Sequence, residues 1–187
     1  MRAIGALLMI LAASAPLAGT ASPESIVSEK GEVRFTARYE GQPLDGVFRR
    51  FRVEMPVEPA TGEPGGLRVV IATGSADMND ADVNQELRTT IFFDADRFPD
   101  AVFTSDTISR APDGTYSAAG AIEVKGATYP LSVPFRLRDT GGARELTGEV
   151  SVSRLAWRIG LGEWAQTDLI ADEVVVRFRV EFTGASP

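Results

Sequence analysis

The chain is predicted to be all-β, an eight-stranded antiparallel up-and-down barrel with one short helix in a long connection, and three observations predict it. Apolar and polar residues alternate with a period of two through almost the whole span from Val33 to Phe182, the pattern of half-buried strands. The polar sides of these runs carry many arginines and glutamates, as expected when a single antiparallel sheet closes on itself. Most connections are short, whereas a two-sheet sandwich, the alternative at this strand number, needs longer crossings.

The strands follow in order. Val33, Phe35, Ala37 and Tyr39 share one face of the first, against Arg34, Thr36, Arg38 and Glu40. Phe51, Val53, Met55 and Val57 repeat this in the second, and Leu67, Val69, Ile71 and Thr73 make the third. The fourth lies between Ala101 and Ile108. Tyr116, Ala118, Gly120, Ile122 and Val124 give the fifth, and Leu131, Val133, Phe135 and Leu137 the sixth. Leu146, Gly148, Val150 and Val152 form the seventh; Val174, Val176, Phe178, Val180 and Phe182 form the last. A helix is expected around Asp80 to Arg88, where Asn79-Asp80 can cap it.

In an up-and-down barrel alternate connections share an end. Glu58 to Gly65, Ala111 to Gly114 and Asp139 to Gly142 fall at one end and read as turns. The other end receives Gly41 to Asp45, the tight Gly126-Ala127 turn, and two long connections, Ser75 to Pro99 and Arg154 to Ala171. Long connections in a small domain tend to be functional. These two carry Phe92, Phe93, Phe98, Trp157, Ile159, Leu161 and Trp164. Such rings either line a cavity mouth or form a small satellite core that pins the loops. Small inward residues, Ala37, Ala118, Gly120 and Gly148, either leave internal space or accommodate large neighbours.

Composition sets the compartment and removes many chemistries. Arg2, the apolar run Ile4 to Leu11 and the small residues Ala13 to Ala21 read as a secretory signal peptide (residues 1–21), cleaved after Ala21 or after Ala18. The expected product is a soluble periplasmic domain over residues 22–187, with no membrane span. With 19 basic and 26 acidic residues, the formal net charge is −7, which argues against nucleic acid. The chain has no cysteine and no histidine. Thiolate nucleophiles, Ser-His-Asp triads and the commonest zinc and haem ligands are therefore excluded.

Four segments carry a family resemblance. VRFTARYEGQPLDGVFRRF contains Leu44-Asp45-Gly46-Val47-Phe48, FFDADRFPDAVFTS runs from Phe92 to Ser105, AAGAIEVKGATYPLSVPF from Ala118 to Phe135, and SRLAWRIGLGEWAQTDLIADEVVVRFRV from Ser153 to Val180. Their order and spacing resemble the YceI-like family of exported polyisoprenoid-binding, lipocalin-like proteins. The resemblance implies a barrel interior that holds a long isoprenoid tail, of the polyprenyl phosphate or quinone type, as bound ligand and with no other cofactor. A histidine that many relatives carry near the first strand is absent here, and Tyr39 occupies that neighbourhood.

The candidate cavity-lining or mouth residues are then Phe35, Ala37, Tyr39, Phe51, Val53, Val69, Ile71, Phe92, Phe93, Phe98, Phe103, Ile122, Val124, Leu131, Val133, Phe135, Trp157, Ile159, Trp164, Val176 and Phe178. Arg88, Arg97, Lys125 and Arg158 are the candidate head-group contacts, since a guanidinium can pair with a diphosphate through two parallel hydrogen bonds. Asp94 and Asp96, with Asp100, Asp106, Asp168 and Asp172, are the material for acid-base chemistry, yet nothing pairs them with a nucleophile. Asp94 is instead expected to cap the turn before Phe98-Pro99. The Asp-x-Asp-x-Asp-Gly calcium spacing is absent, and no metal site is expected. The expectation is thus non-catalytic binding, with transport or storage, of an apolar isoprenoid. A filled barrel that binds a protein partner or serves in stress response is the alternative, and a lipid hydrolase or isomerase a third reading. A homodimer would have to form through loops or outer faces.

Overall fold

A computed structural model describes residues 24–183; the segment read as a signal peptide lies outside the described residues. Its strands in chain order are β1 (Glu24–Ser28), β2 (Gly31–Tyr39), β3 (Gln42–Phe48), β4 (Phe51–Val57), β5 (Arg68–Ala72), β6 (Ala76–Asp77), β7 (Asp100–Arg110), β8 (Tyr116–Val124), β9 (Ala127–Asp139), β10 (Ala143–Ser153) and β11 (Glu173–Thr183). One helix, α1 (Ala81–Leu87), and two 3-10 turns, Thr73–Ser75 and Gly162–Ala165, complete the described elements. All eleven strands belong to one antiparallel sheet in the order β1-β4-β5-β7-β8-β9-β10-β11-β2-β3-β6.

Eleven strands replace the expected eight, and the difference comes from breaks within strands. β1 pairs with β4 from Glu24↔Val57 to Ser28↔Val53, and β2 pairs with β3 from Val33↔Phe48 to Tyr39↔Gln42. These pairs share one register, each residue forward on the first partner matching one residue back on the second. β1 and β2 are therefore halves of one stave, and β3 and β4 halves of its neighbour. β6 likewise continues β5 beyond the turn at Thr73–Ser75 and pairs with the end of β3 through Phe48↔Ala76. β11 pairs with β2 from Val175↔Thr36 to Val180↔Gly31, and the Glu181 N–H donates to the Lys30 carbonyl at 3.0 Å. The staves therefore run in a ring, and the antiparallel barrel class is the one the alternation predicts.

Two local readings are corrected. Gly41 to Asp45 is not a connection, because the chain reverses within Glu40 and Gly41, both at positive φ (46° and 77°), as a two-residue hairpin turn requires. Strand pairing resumes at Gln42. The ring of ladders is also open along part of one seam: β9 and β10 pair only from Gly148↔Phe135 to Arg144↔Asp139. An unbroken β8–β9 ladder runs past Pro130 and Pro134, which places their missing N–H groups on the β10 side. Where the two strands part, Tyr129 and Trp157 pack with ring centroids 6.4 Å apart.

The helix forms where the capping residues predict it. Asp80 is its N-cap, accepting from the Asp82 and Val83 N–H groups at 3.0 and 3.1 Å. Asp77 fixes the approach by accepting from Asn84 Nδ2, the Asn79 N–H and Arg49. Those bonds, Asn84 first, lower its pKa to about 2. No helix among the described residues is long and apolar enough to cross a membrane.

Candidate functional site: an apolar cavity under one rim

Burial divides the interior into a floor and a roof. Met55, Phe135, Leu146, Val180 and Phe182, near the ends of their staves at the short-turn end, are at most 2% exposed and close the barrel there. At the other end Phe35, Leu87 and Phe92 are buried with Phe48, Phe93 and Trp164 packed on them. Rings link this roof, with centroid separations of 5.1 Å for Phe35–Phe48, 5.9 Å for Phe48–Phe93 and 6.1 Å for Phe92–Trp164. Between floor and roof lies a cavity of about 700 Å³, within the roughly 300–1,000 Å³ usual for ligand pockets.

Most of the expected residues line it. β2 supplies Phe35, Ala37 and Tyr39, β4 supplies Val53, and β5 supplies Val69 and Ile71. Phe103 comes from β7, Ile122 and Val124 from β8, Leu131 and Val133 from β9, and Val176 and Phe178 from β11. Phe92, Phe93, Trp157, Ile159 and Trp164 reach it from the two long connections. Both connections occupy the same rim and are bonded together: the Gly160 N–H donates to the Ile91 carbonyl at 2.9 Å.

Three expected lining residues are placed elsewhere. Phe135 belongs to the floor, stacked on Tyr116 with centroids 5.2 Å apart. Phe51 sits opposite Ile71 at the break between β3 and β4 and borders an outer cleft with Arg50 and Arg52. Phe98 lies over Gly126, where an added Cβ would come within 2.6 Å of its ring, and under the Arg97 guanidinium at 5.1 Å. It pins the connection to the β8–β9 turn. Of the rings in FFDADRFP, Phe92 and Phe93 face the cavity and Phe98 is an anchor.

The small inward residues have different roles as well. Only Ala37 lines the cavity. Ala118 is fully packed, and Gly120 lies against the β7 backbone. At Gly148 an added Cβ would overlap the Phe178 ring, its cross-strand partner. Gly46 stands under Phe35 in the same way. Gly148 and Gly46 are each the seat of a ring rather than a void.

The four expected head-group cations do not belong to the lining. Lys125 donates to the Thr90 and Arg158 carbonyls at 2.9 and 2.8 Å and so clasps the two long connections; burial lowers its pKa, with Asp94 opposing. Arg97 pairs with Asp94 at 3.2 Å. Arg158 is exposed at a positive φ of 60°. Arg88, exposed at the helix C-cap, lies within 3.4 Å of where a Cβ on Gly74 would sit. Asp94 and Asp96 do not share an environment: Asp94 is buried against Arg97 and Asp96 is exposed. The turn at Phe98 is held by the Asp94 backbone carbonyl, which accepts from the Arg97 and Phe98 N–H groups, and not by its carboxylate.

Several lining residues were not singled out from the sequence. Leu44 and Phe48 belong to β3, and their alternation around Gly46 was the signal available. Asp82, Val83, Glu86 and Leu87 form one face of α1, visible as a helical repeat. Arg154 gave no comparable signal. It is 4% exposed, and its guanidinium donates to the carbonyls of Ala171 (2.9 Å), Ile159 (3.1 Å), Gly160 (2.8 Å), Trp164 (2.8 Å) and Ile170 (2.7 Å). Burial lowers its pKa, partly offset by Asp172. One charged side chain thus shapes the whole second connection. Exposure marks the mouth: Tyr39, Leu44 and Val83 line the cavity yet are 39, 40 and 37% exposed.

An antiparallel sheet curled round an apolar chamber, its β9–β10 seam paired over part of its length, with one end packed and the other crowned by loops, defines a lipocalin-like barrel. The chain belongs to the YceI-like domain family, whose model matches residues 25–182. A UPF0312 protein of Yersinia enterocolitica is 30% identical over 98 residues, covering 52% of this chain and 50% of the relative. A UPF0312 protein of Yersinia pseudotuberculosis is 31% identical over the same shares. The chain spans about half the length of the curated relatives it matches. Among solved structures, Burkholderia cenocepacia BcnA superposes with a TM-score of 0.77 at 28% identity, over 82% of this chain and 96% of that one. A polyisoprenoid binding domain from Saccharophagus degradans superposes at 0.64 and 12% identity, over 87% and 99%; at that identity the likeness is one of fold.

Proposed function

We propose that this protein binds a long apolar isoprenoid lipid, of the polyprenyl phosphate or quinone type, inside its barrel, without catalysis, and carries or stores it in the periplasm after export. The observation that carries the reading is the continuous apolar chamber of about 700 Å³, packed at the floor and open past Tyr39, Leu44 and Val83. Family membership supports it, as does the fold shared with a protein described as a polyisoprenoid binding domain. The tail needs no special partner, because burial of apolar surface supplies roughly 25 cal/mol per Å². Flexible prenyl chains fit a chamber walled mainly by Val, Ile, Leu and Phe.

Organic extraction of the native, purified protein followed by mass spectrometry tests this. A prenyl species recovered from repeated preparations, or taken up when added to stripped protein, is the expected result. Repeated recovery of nothing together with no uptake would refute it. Trp157 and Trp164 both line the chamber, so their emission reports entry of a ligand.

A further inference from the structure

The charges that line the chamber lead to a statement about the ligand's head group, which rests on the isoprenoid reading above. Its ionisable lining residues, apart from the Tyr39 phenol, are Asp82, Glu86 and Arg154. Arg154 has five N–H groups, and all five are given to the backbone carbonyls of the second connection. It therefore has no donor left for a phosphate. Lys125 and Arg97 are likewise engaged outside the lining.

Asp82 and Glu86 stand four residues apart on α1, so they share a helix face. Neither carboxylate has an ion-pair or hydrogen-bond partner among the described residues. With Val83 and Leu87 they form the helical side of the opening, beside the exposed Tyr39 and Leu44. A ligand drawn in by its tail leaves its head at this rim. A phosphate or diphosphate there would meet two uncompensated carboxylates and no free cation in the lining, since Arg88 and Arg158 are exposed outside it. It would also lose hydration against apolar side chains without gaining hydrogen bonds.

We infer that the chamber is selective for isoprenoids with an uncharged head, such as an alcohol or a carbonyl-bearing ring, and that Asp82 and Glu86 are the specificity-determining residues that turn away phosphorylated ones. Of the two ligand types consistent with the tail site, the geometry favours the uncharged type. The remote part of the ligand supplies affinity, and the rim supplies discrimination by repulsion.

The test compares two probes of equal chain length, geranylgeraniol and geranylgeranyl diphosphate, titrated into lipid-stripped protein at low salt with tryptophan emission as readout. The diphosphate should bind roughly tenfold or more weakly than the alcohol, and added salt should narrow the gap. Replacing both acids (Asp82→Asn with Glu86→Gln) should shrink the ratio between the probes at least roughly threefold. Glu123→Gln, on the outer face of β8, should leave that ratio as it is in the wild type. Thermal melting confirms that each variant is folded. Equal or tighter binding of the diphosphate by the wild type, or a ratio unmoved in the double variant, overturns the inference while leaving the isoprenoid reading intact. Binding of neither probe overturns both.

Discussion

Replacing Arg154 by Met tests whether one buried guanidinium organises the upper rim. The substitution roughly keeps the side-chain length and removes five hydrogen bonds, of 2.7 to 3.1 Å, to the carbonyls of Ile159, Gly160, Trp164, Ile170 and Ala171. Hydrogen bonds to a charged group contribute about 1.5–3 kcal/mol each, and a buried acceptor left unmade costs about 1–3 kcal/mol. Two effects reduce that sum. Relief from burying a charge returns part of it, and water can reach the half-buried carbonyls, leaving the one at buried Gly160 the most stranded. A net loss of about 3–5 kcal/mol is expected, the range for breaking a buried charged network. For a domain of this size that lowers the melting temperature by roughly 10 °C. Urea denaturation, followed in parallel by circular dichroism and by tryptophan emission, should show the loss. Trp157 and Trp164 lie in the affected connection, so their emission should move to the red before the sheet melts. Arg154→Lys, with at most three donors, should fall between wild type and Arg154→Met. An Arg154→Met protein within about 0.5 kcal/mol of wild type, the scatter of ordinary surface changes, would refute the account.

Filling the chamber near its mouth, by Ala37→Phe, should abolish lipid uptake measured by extraction while changing stability by under about 1.5 kcal/mol, because the added ring enters existing space; unchanged uptake would remove the mouth from that place. The pKa of Asp77 is about 2 in the folded state against 3.8 ordinarily, so its contribution to stability is present above pH 3.8 and is lost as pH falls through about 2. Asp77→Asn should flatten the melting temperature between pH 4 and pH 2 relative to wild type, and parallel profiles would refute that role. Trp164 Nε1 is buried without a hydrogen-bond partner, so Trp164→Phe should cost less than the usual large-to-small change in a core, under about 2 kcal/mol by chemical denaturation.

Much of the barrel was legible because strand period and burial are linked through the pleat. Val33, Phe35, Ala37 and Tyr39 alternate in sequence and all four line the cavity. The helix cap at Asp80 was legible for a similar reason, since its acceptor acts on N–H groups two and three residues away. β3 was missed because its outward residues, Pro43 and Asp45, and its Gly46 carry turn composition, and only the Glu40-Gly41 reversal shows that pairing continues. Phe98 and Phe93 are five residues apart with the same side chain. Only contact with Gly126 separates an anchor from a wall. The arginines near the rim looked equivalent, and their partners distinguish them: Arg97 meets Asp94, while Arg154 meets five carbonyls.

By itself the sequence determined the antiparallel barrel, most of the side chains that turn inward, the helix capped at Asp80 and the rim shared by the long connections. These follow from interactions between near neighbours and from the two-residue period of a strand. Tertiary structure alone decided that the interior is hollow, where it opens, and that the cations expected at its mouth lie outside its lining, with Lys125 and Arg97 held by partners of their own. A void and a hydrogen-bond partner both depend on how distant staves and loops meet, and no local period encodes that.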